Sequence, residues 1–275
     1  MNIIFLSLIA GVVGMGFGSL ITTIVGSRSN KMTSIFLSFS GGVMISLAFI
    51  ELIPEAIDKS SVGIMLVGLC AGAALVYFSH EIVDKITNAS SKSHSHDSHS
   101  HSHSHDSHES HDEFGELVSS VSAADGNSRM LRSGLIMLFA IGLHNIPEGL
   151  ALGAAGAINP QIGLTLAVAI GLHNIPAGMA ITTPLLIGGF SRYKAIGITL
   201  LAGSTTVLGA VVGVLVGGIS DVAVAVSFAV AAGSLLYVVI SETLPQAIVM
   251  GKSHLTAIFT FIGIVVGTVL IQLLG

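Results

Sequence analysis

Ile141-Gly142-Leu143-His144-Asn145-Ile146-Pro147-Glu148-Gly149 and Ile170-Gly171-Leu172-His173-Asn174-Ile175-Pro176-Ala177-Gly178 are one string written twice, differing only at the eighth position. Both copies lie between Ser133 and Ser191, where Glu148 is the sole charged residue. A helix needs about 20 apolar residues to cross a hydrocarbon core about 30 Å thick. The stretch therefore holds two spans, divided at the Asn159-Pro160 turn signal. His144 follows Arg132 by 12 residues and His173 follows Gln161 by 12. At 1.5 Å per residue each histidine is about 18 Å into its span, close to the midplane.

The same reading extends outward. Met1–Ser27, Met32–Ile50, Ser60–Ser79, Ala195–Ser220, Val222–Ser241 and Leu255–Gly275 carry no charge. With the central pair these predict an all-α membrane protein of eight transmembrane helices. Of the 275 residues, 52% are hydrophobic and 9% are charged, where a soluble domain carries about a quarter charged. The 33 glycines suit helices packed closely in lipid. Cys70 is the sole cysteine, which excludes a disulfide framework or a CxxC zinc site. The first apolar run has no basic flank before it and is long, so it reads as a retained span.

Of the ten Lys and Arg residues, Lys59 alone falls in the loops of one side. Arg28, Lys31, Lys85, Lys92, Arg129, Arg132, Arg192, Lys194 and Lys252 fall on the other. The positive-inside rule puts that second side in the cytoplasm and both termini outside a plasma membrane. Residues 1–275 are expected to form a single transmembrane domain. Within it, residues 79–131 form a cytoplasmic, largely disordered loop rich in histidine.

A second repeat is long-range. Gly42, Glu51, Pro54, Ala56 and Ile57 match Gly233, Glu242, Pro245, Ala247 and Ile248 at a constant offset, in spans that run in opposite directions. Inverted repeats mark secondary transporters, and they predict a 3+2+3 arrangement in which helices 1–3 and 6–8 are the repeats.

His144 and Glu148 are four apart and share a helix face, with Asn145 three before Glu148. Pro147 and Pro176 cannot donate a backbone N–H, so each is expected to bend its helix and free the carbonyl of Leu143 or Leu172. Broken helices at this depth are tolerated where they line a cavity. A carboxylate at the membrane centre costs at least about 2.5–3.5 kcal/mol, and pairing it with a cation removes that objection. Imidazole with carboxylate suits Zn²⁺, and also Fe²⁺, Mn²⁺, Co²⁺ or Cd²⁺. The plain alternative is polar packing between helices, which two matched motifs at matched depth make less economical.

Around this centre, Glu51, Glu55 and Asp58 at the outer end of span two form either a cation-focusing mouth or an ordinary solvated helix end. Glu242, with His254 beyond it, is a candidate release site. His80, near Glu81 and Asp84, is a weaker one. Met44 is a soft ligand or packing material. His94, His96, His99, His101, His103, His105, His108 and His111 form a low-complexity, metal-binding tract without a fixed fold. Gly251-Lys252-Ser253 resembles the end of a phosphate loop, but Gln246 stands where its first glycine would be. There is no HExxH zinc motif, and the chain does not read as an enzyme.

In these residues the chain resembles the ZIP (Zrt/Irt-like, zinc–iron permease) family, bacterial type. The likeness covers the spans, the outside termini, the His-rich loop between spans three and four, and the HNxPEG motif in span four. It implies a metal path lined by His144, Asn145, Glu148, His173 and Asn174, with Met44 as an auxiliary ligand, Asp58 near the entrance and Glu242 near the exit. At two positions the chain departs from the family pattern. Ala177 stands where many members have a second glutamate, and Thr206 where bacterial relatives often have a glutamate in span six. Both remove carboxylates from a second metal position, so one main site is expected, built from His144, Glu148 and His173 with Met44.

The leading reading is uptake of Zn²⁺ and related divalent cations, with spans two, four, five and seven moving to alternate access. The metal is transported substrate, and no catalytic cofactor is expected. The alternative is a membrane metal sensor or buffer using the His-rich loop. The partners expected are divalent metal ions and the lipid bilayer, with no nucleic acid; a homodimer is compatible with the sequence.

Overall fold

A computed structural model describes residues 2–25, 30–92, 126–251 and 254–274, and among these every regular element is helical. The first rod is α1 (Ile3–Leu8), a π turn (Ile9–Val13) and α2 (Gly14–Val25). The second is α3 (Asn30–Ser46), a π turn (Leu47–Leu52) and α4 (Ile53–Asp58). Next come α5 (Val62–Lys92), α6 (Gly126–Ile158), α7 (Pro160–Ile187) and α8 (Arg192–Gly217). The seventh rod is α9 (Asp221–Val238), a π turn (Val239–Thr243) and α10 (Leu244–Gly251), and α11 (Leu255–Leu274) ends the chain. The histidines from His94 to His111 lie outside the described residues.

Seven helical stretches among the described residues are long and apolar enough to cross a membrane, which makes this a multi-pass membrane protein. The long helix α6 is not one of the seven.

Local chemistry explains the joints. Asn159 caps α7 by accepting from the Gln161 N–H at 2.9 Å, with Pro160 at the first helical position, where no amide is missed. Between α7 and α8, Gly189 takes φ 94°, a left-handed conformation in which a side chain would be strained. Ser191 and Ser220 cap α8 and α9 through Lys194 N–H and Ala223 N–H.

Prolines behave in two ways. α6 and α7 stay helical through Pro147, Pro176 and Pro184, so neither His-Asn motif ends its helix, although the proline nitrogens can donate to neither Leu143 O nor Leu172 O. Pro54 and Pro245 instead come directly after π turns. Those turns close when Ile53 N–H reaches Ala48 and Leu244 N–H reaches Val239, each five residues back. The two turns occupy matching positions of the long-range repeat, and Glu51 and Glu242 lie inside them. A π turn adds one residue to the helix and re-aims the side chains beyond it, and such turns favour functional positions.

Glycines set which helices touch. A methyl group added at Gly149 or Gly153 of α6 would lie 2.0 Å from Thr206 O or 2.2 Å from Ala210 O of α8. At Gly18 of α2 it would lie 1.8 Å from Ile175 O of α7, and at Gly203 of α8 2.5 Å from Gly11 O. These approaches join α1, α2, α6, α7 and α8 into one group. In the other group, Gly42 and Gly263 bring α3 onto α11, and Gly72 and Gly233 bring α5 onto α9. Among the described glycines no such approach crosses between the groups. The closest backbone approaches of α3 and α9 are therefore to α11 and α5, not to α6 and α7.

The helix ends can be placed as well. Ser34 near the start of α3 donates to Ala247 O in α10 at 2.6 Å. Thr182 near the end of α7 bonds Ser19 at 2.8 Å and Thr199 at 2.9 Å. These ends gather on one side, here the basic end, with Lys31, Arg192 and Lys194.

Candidate metal centre

The two His-Asn motifs meet where α6 and α7 pack. His144, Glu148, His173, Asn145 and Asn174 are all at most 1% exposed. One turn of α6 brings His144 Nε2 to 3.9 Å from Glu148 Oε1. Across the helix pair, His173 Nε2 lies 3.2 Å from Glu148 Oε2. One carboxylate thus stands between two imidazoles, each facing a different oxygen.

Hydrogen bonds orient these groups. His144 Nδ1 lies 3.2 Å from Ala140 O. A carbonyl can only accept, so that nitrogen carries a proton, and in the neutral ring Nε2 keeps its lone pair. Asn145 Nδ2 donates to Ala202 O of α8 at 3.1 Å, and Asn174 Nδ2 donates to Ala10 O at 3.0 Å. Each amide is turned so that its oxygen is left over. Among the described residues His144 Nε2, Asn145 Oδ1, Glu148 Oε1, His173 Nδ1, Asn174 Oδ1 and Thr206 Oγ1 are buried without a hydrogen-bond partner. Unpartnered buried polar atoms each cost about 1–3 kcal/mol. Five of the six belong to the two motifs, and most are pure electron-pair donors. A cation satisfies that donor set, and an apolar neighbour does not.

Among the described residues no three His, Cys, Asp or Glu side chains have the spacing of a preformed metal cluster. The reason is visible in the pair itself. Glu148 is engaged with His173, so a metal ion would have to enter between them and take over that contact.

The other sequence candidates separate by position. Met44, at 2% exposure, lines a cavity with His144 and Glu242. The same cavity is lined by Ser40, Met137, Thr243 and Gln246, none of which carried a signal in the sequence. It opens from His144 toward the basic end, since Met137 precedes His144 on α6 and Gln246 lies beyond Glu242 toward Gly251. Glu51 is half-buried in its π turn and Asp58 is exposed at the end of α4. Neither lines that cavity. Glu55 holds Lys59 at 3.9 Å. His254 is exposed at the turn before α11, and His80 lies along α5.

A family profile described as ZIP zinc transporter matches residues 1–275. The chain belongs to the ZIP family. It is similar to the zinc transporter ZupT of Chlorobaculum parvum, at 32% identity over 97% of this chain and 93% of that one. It is also similar to the zinc transporters ZupT of Corynebacterium efficiens, at 32% identity over 95% and 94% of the two chains, and of Corynebacterium glutamicum, at 33% over 94% and 92%. The ZIP family is one of transporters, which agrees with reading the chain as other than an enzyme.

Proposed function

We propose that this protein carries Zn²⁺, and with it Fe²⁺, Mn²⁺, Co²⁺ and Cd²⁺, across a plasma membrane into the cytoplasm. In this reading α6 is an eighth span, the 3+2+3 arrangement holds, both termini are outside and the basic end is cytoplasmic. The transport site is one position near the midplane, where His144, Glu148 and His173 bind the ion, with Met44 at its inner edge. The observation that carries the reading is the set of buried, unpartnered lone pairs on His144, Glu148, His173, Asn145 and Asn174. Histidine nitrogen with carboxylate oxygen is an established donor set for zinc.

Alternating access then requires the groups to move past one another. Glycine contacts to backbone tie spans one, four, five and six together, so these move as a body against spans two, three, seven and eight. That replaces a moving set of spans two, four, five and seven, which would tear the seams at Gly42 and Gly233. The boundary is crossed by a buried hydrogen bond from Ser40 Oγ to His173 O at 3.2 Å, which must part or re-form during the cycle.

The His-rich tract belongs to a buffer rather than to the path. Deleting residues 94–111 is expected to leave the initial rate of zinc uptake into proteoliposomes within about two-fold of the intact chain, because a weak, low-complexity ligand tract adds no site to the helices. Loss of uptake on that deletion would put the tract in the path, and absence of uptake by the intact chain would favour the sensor reading instead. The direct test of the proposed site is uptake by chains altered at Glu148 and His144.

A further inference from the structure

The cavity between His144 and the basic end holds two thioethers, Met44 from α3 and Met137 from α6. Met137 precedes His144 by seven residues, two helical turns or about 10 Å, with Ile141 between them on the same face. Methionine in a helix interior is ordinarily a flexible gap-filler, and then its sulfur needs no polar partner. Here Gln246 Nε2 approaches Met137 Sδ at 3.5 Å. The amide N–H pins a thioether whose three side-chain bonds would otherwise rotate, so the sulfur has a fixed place on the cavity wall.

The contact also crosses the boundary between the two helix groups, from α10 to α6. An ion leaving His144 toward Glu242 meets these residues next. Thioether sulfur is a soft donor that binds soft cations and is indifferent to hard ones, whereas the carboxylate of Glu242 and the hydroxyls of Ser40 and Thr243 take any divalent ion.

We propose that Met137, positioned by Gln246, is a specificity-determining residue of the inner half of the path, where its thioether favours soft Cd²⁺ over Zn²⁺. The proposal rests on the transport reading above and adds a residue to it.

The test is the ratio of apparent KM values for Cd²⁺ and Zn²⁺, measured by uptake into proteoliposomes. Met137→Leu conserves volume and removes only the sulfur, so the fold should tolerate it. The Cd²⁺ to Zn²⁺ ratio should rise about five-fold in this variant. Gln246→Leu leaves the sulfur in place but unpinned, and should move the ratio the same way by a smaller factor. Met65→Leu is the control, because Met65 sits in the apolar core of the bundle away from the cavity, and it should leave the ratio alone. An unchanged ratio in both Met137→Leu and Gln246→Leu, an equal change in both KM values, or the same shift in Met65→Leu would overturn the proposal. Absence of uptake by the unaltered chain would overturn the transport reading instead.

Discussion

Glu148→Ala is expected to lower the initial rate of zinc uptake by at least about 100-fold, beyond the 10–100-fold cost usual for second-shell changes at metal sites. Glu148 is the sole carboxylate among the buried residues of the two motifs, at 1% exposure, and both imidazoles face it. Without it a divalent ion meets only neutral donors in a region where an uncompensated charge is costly. His144→Ala is expected to have an effect of the same order, since His144 Nε2 is the lone pair that Ala140 O leaves aimed into the site. Glu148→Gln separates charge from shape. Its amide oxygen can still accept from His173, so the variant should fold and insert normally yet lose uptake almost as completely as alanine. The measurement is radioactive zinc accumulation in proteoliposomes, with thermal stability in detergent read in parallel. Near-normal uptake in Glu148→Ala, or in both Glu148→Gln and His144→Ala, would remove the site from the transport path.

Gly18→Ala should destabilise the folded bundle by about 1–3 kcal/mol, the usual cost of overpacking a close contact. The added methyl would lie 1.8 Å from Ile175 O and 2.8 Å from Ile175 C. Backbone atoms of a helix cannot swing aside as a side-chain end can, so α2 and α7 must separate. Ile175 adjoins His173 and Asn174, and Asn174 reaches Ala10 O on the same rod. The separation therefore disturbs the metal position as well as the seam. Gly197→Ala is the matched control. Nothing lies within 4 Å of a methyl group there, and alanine is the better helix former by about 1 kcal/mol. A thermal unfolding midpoint that drops several degrees for Gly18→Ala and holds or rises for Gly197→Ala is the expected pattern. Equal midpoints would mean that the seam is not tightly packed.

Much of this arrangement is readable from residue order alone, because lipid imposes length and polarity rules that water does not. Charge-free runs mark the rods, and repetition of Ile-Gly-Leu-His-Asn-Ile-Pro marks the centre. Equal depth of His144 and His173 in antiparallel helices leads to their meeting around Glu148. The match of Glu51 with Glu242 foretells two equivalent rods, and both carry a π turn at that place.

Other features leave no such trace. Proline alone does not tell whether a helix absorbs the missing N–H in place, as at Pro147 and Pro176, or through a π turn, as before Pro54 and Pro245. Met137 and Gln246 are isolated residues in apolar surroundings, and they become notable only when α6 and α10 are brought together. Glycine content announces close packing but not its partners. Gly149 could face any helix until Thr206 O is found 2.0 Å from where its methyl would be. Which helices pack most closely is therefore legible only in the packed structure.

Counting the metal ions held per chain is the sharpest test of a single transport site, because Ala177 and Thr206 leave Glu148 as the one carboxylate between the two motifs. Purified protein lacking residues 94–111 is titrated with zinc and its bound metal measured per chain. One tightly held ion, lost in both Glu148→Ala and His144→Ala, is the predicted result. Two ions at full occupancy, or one ion retained in both variants, would contradict it.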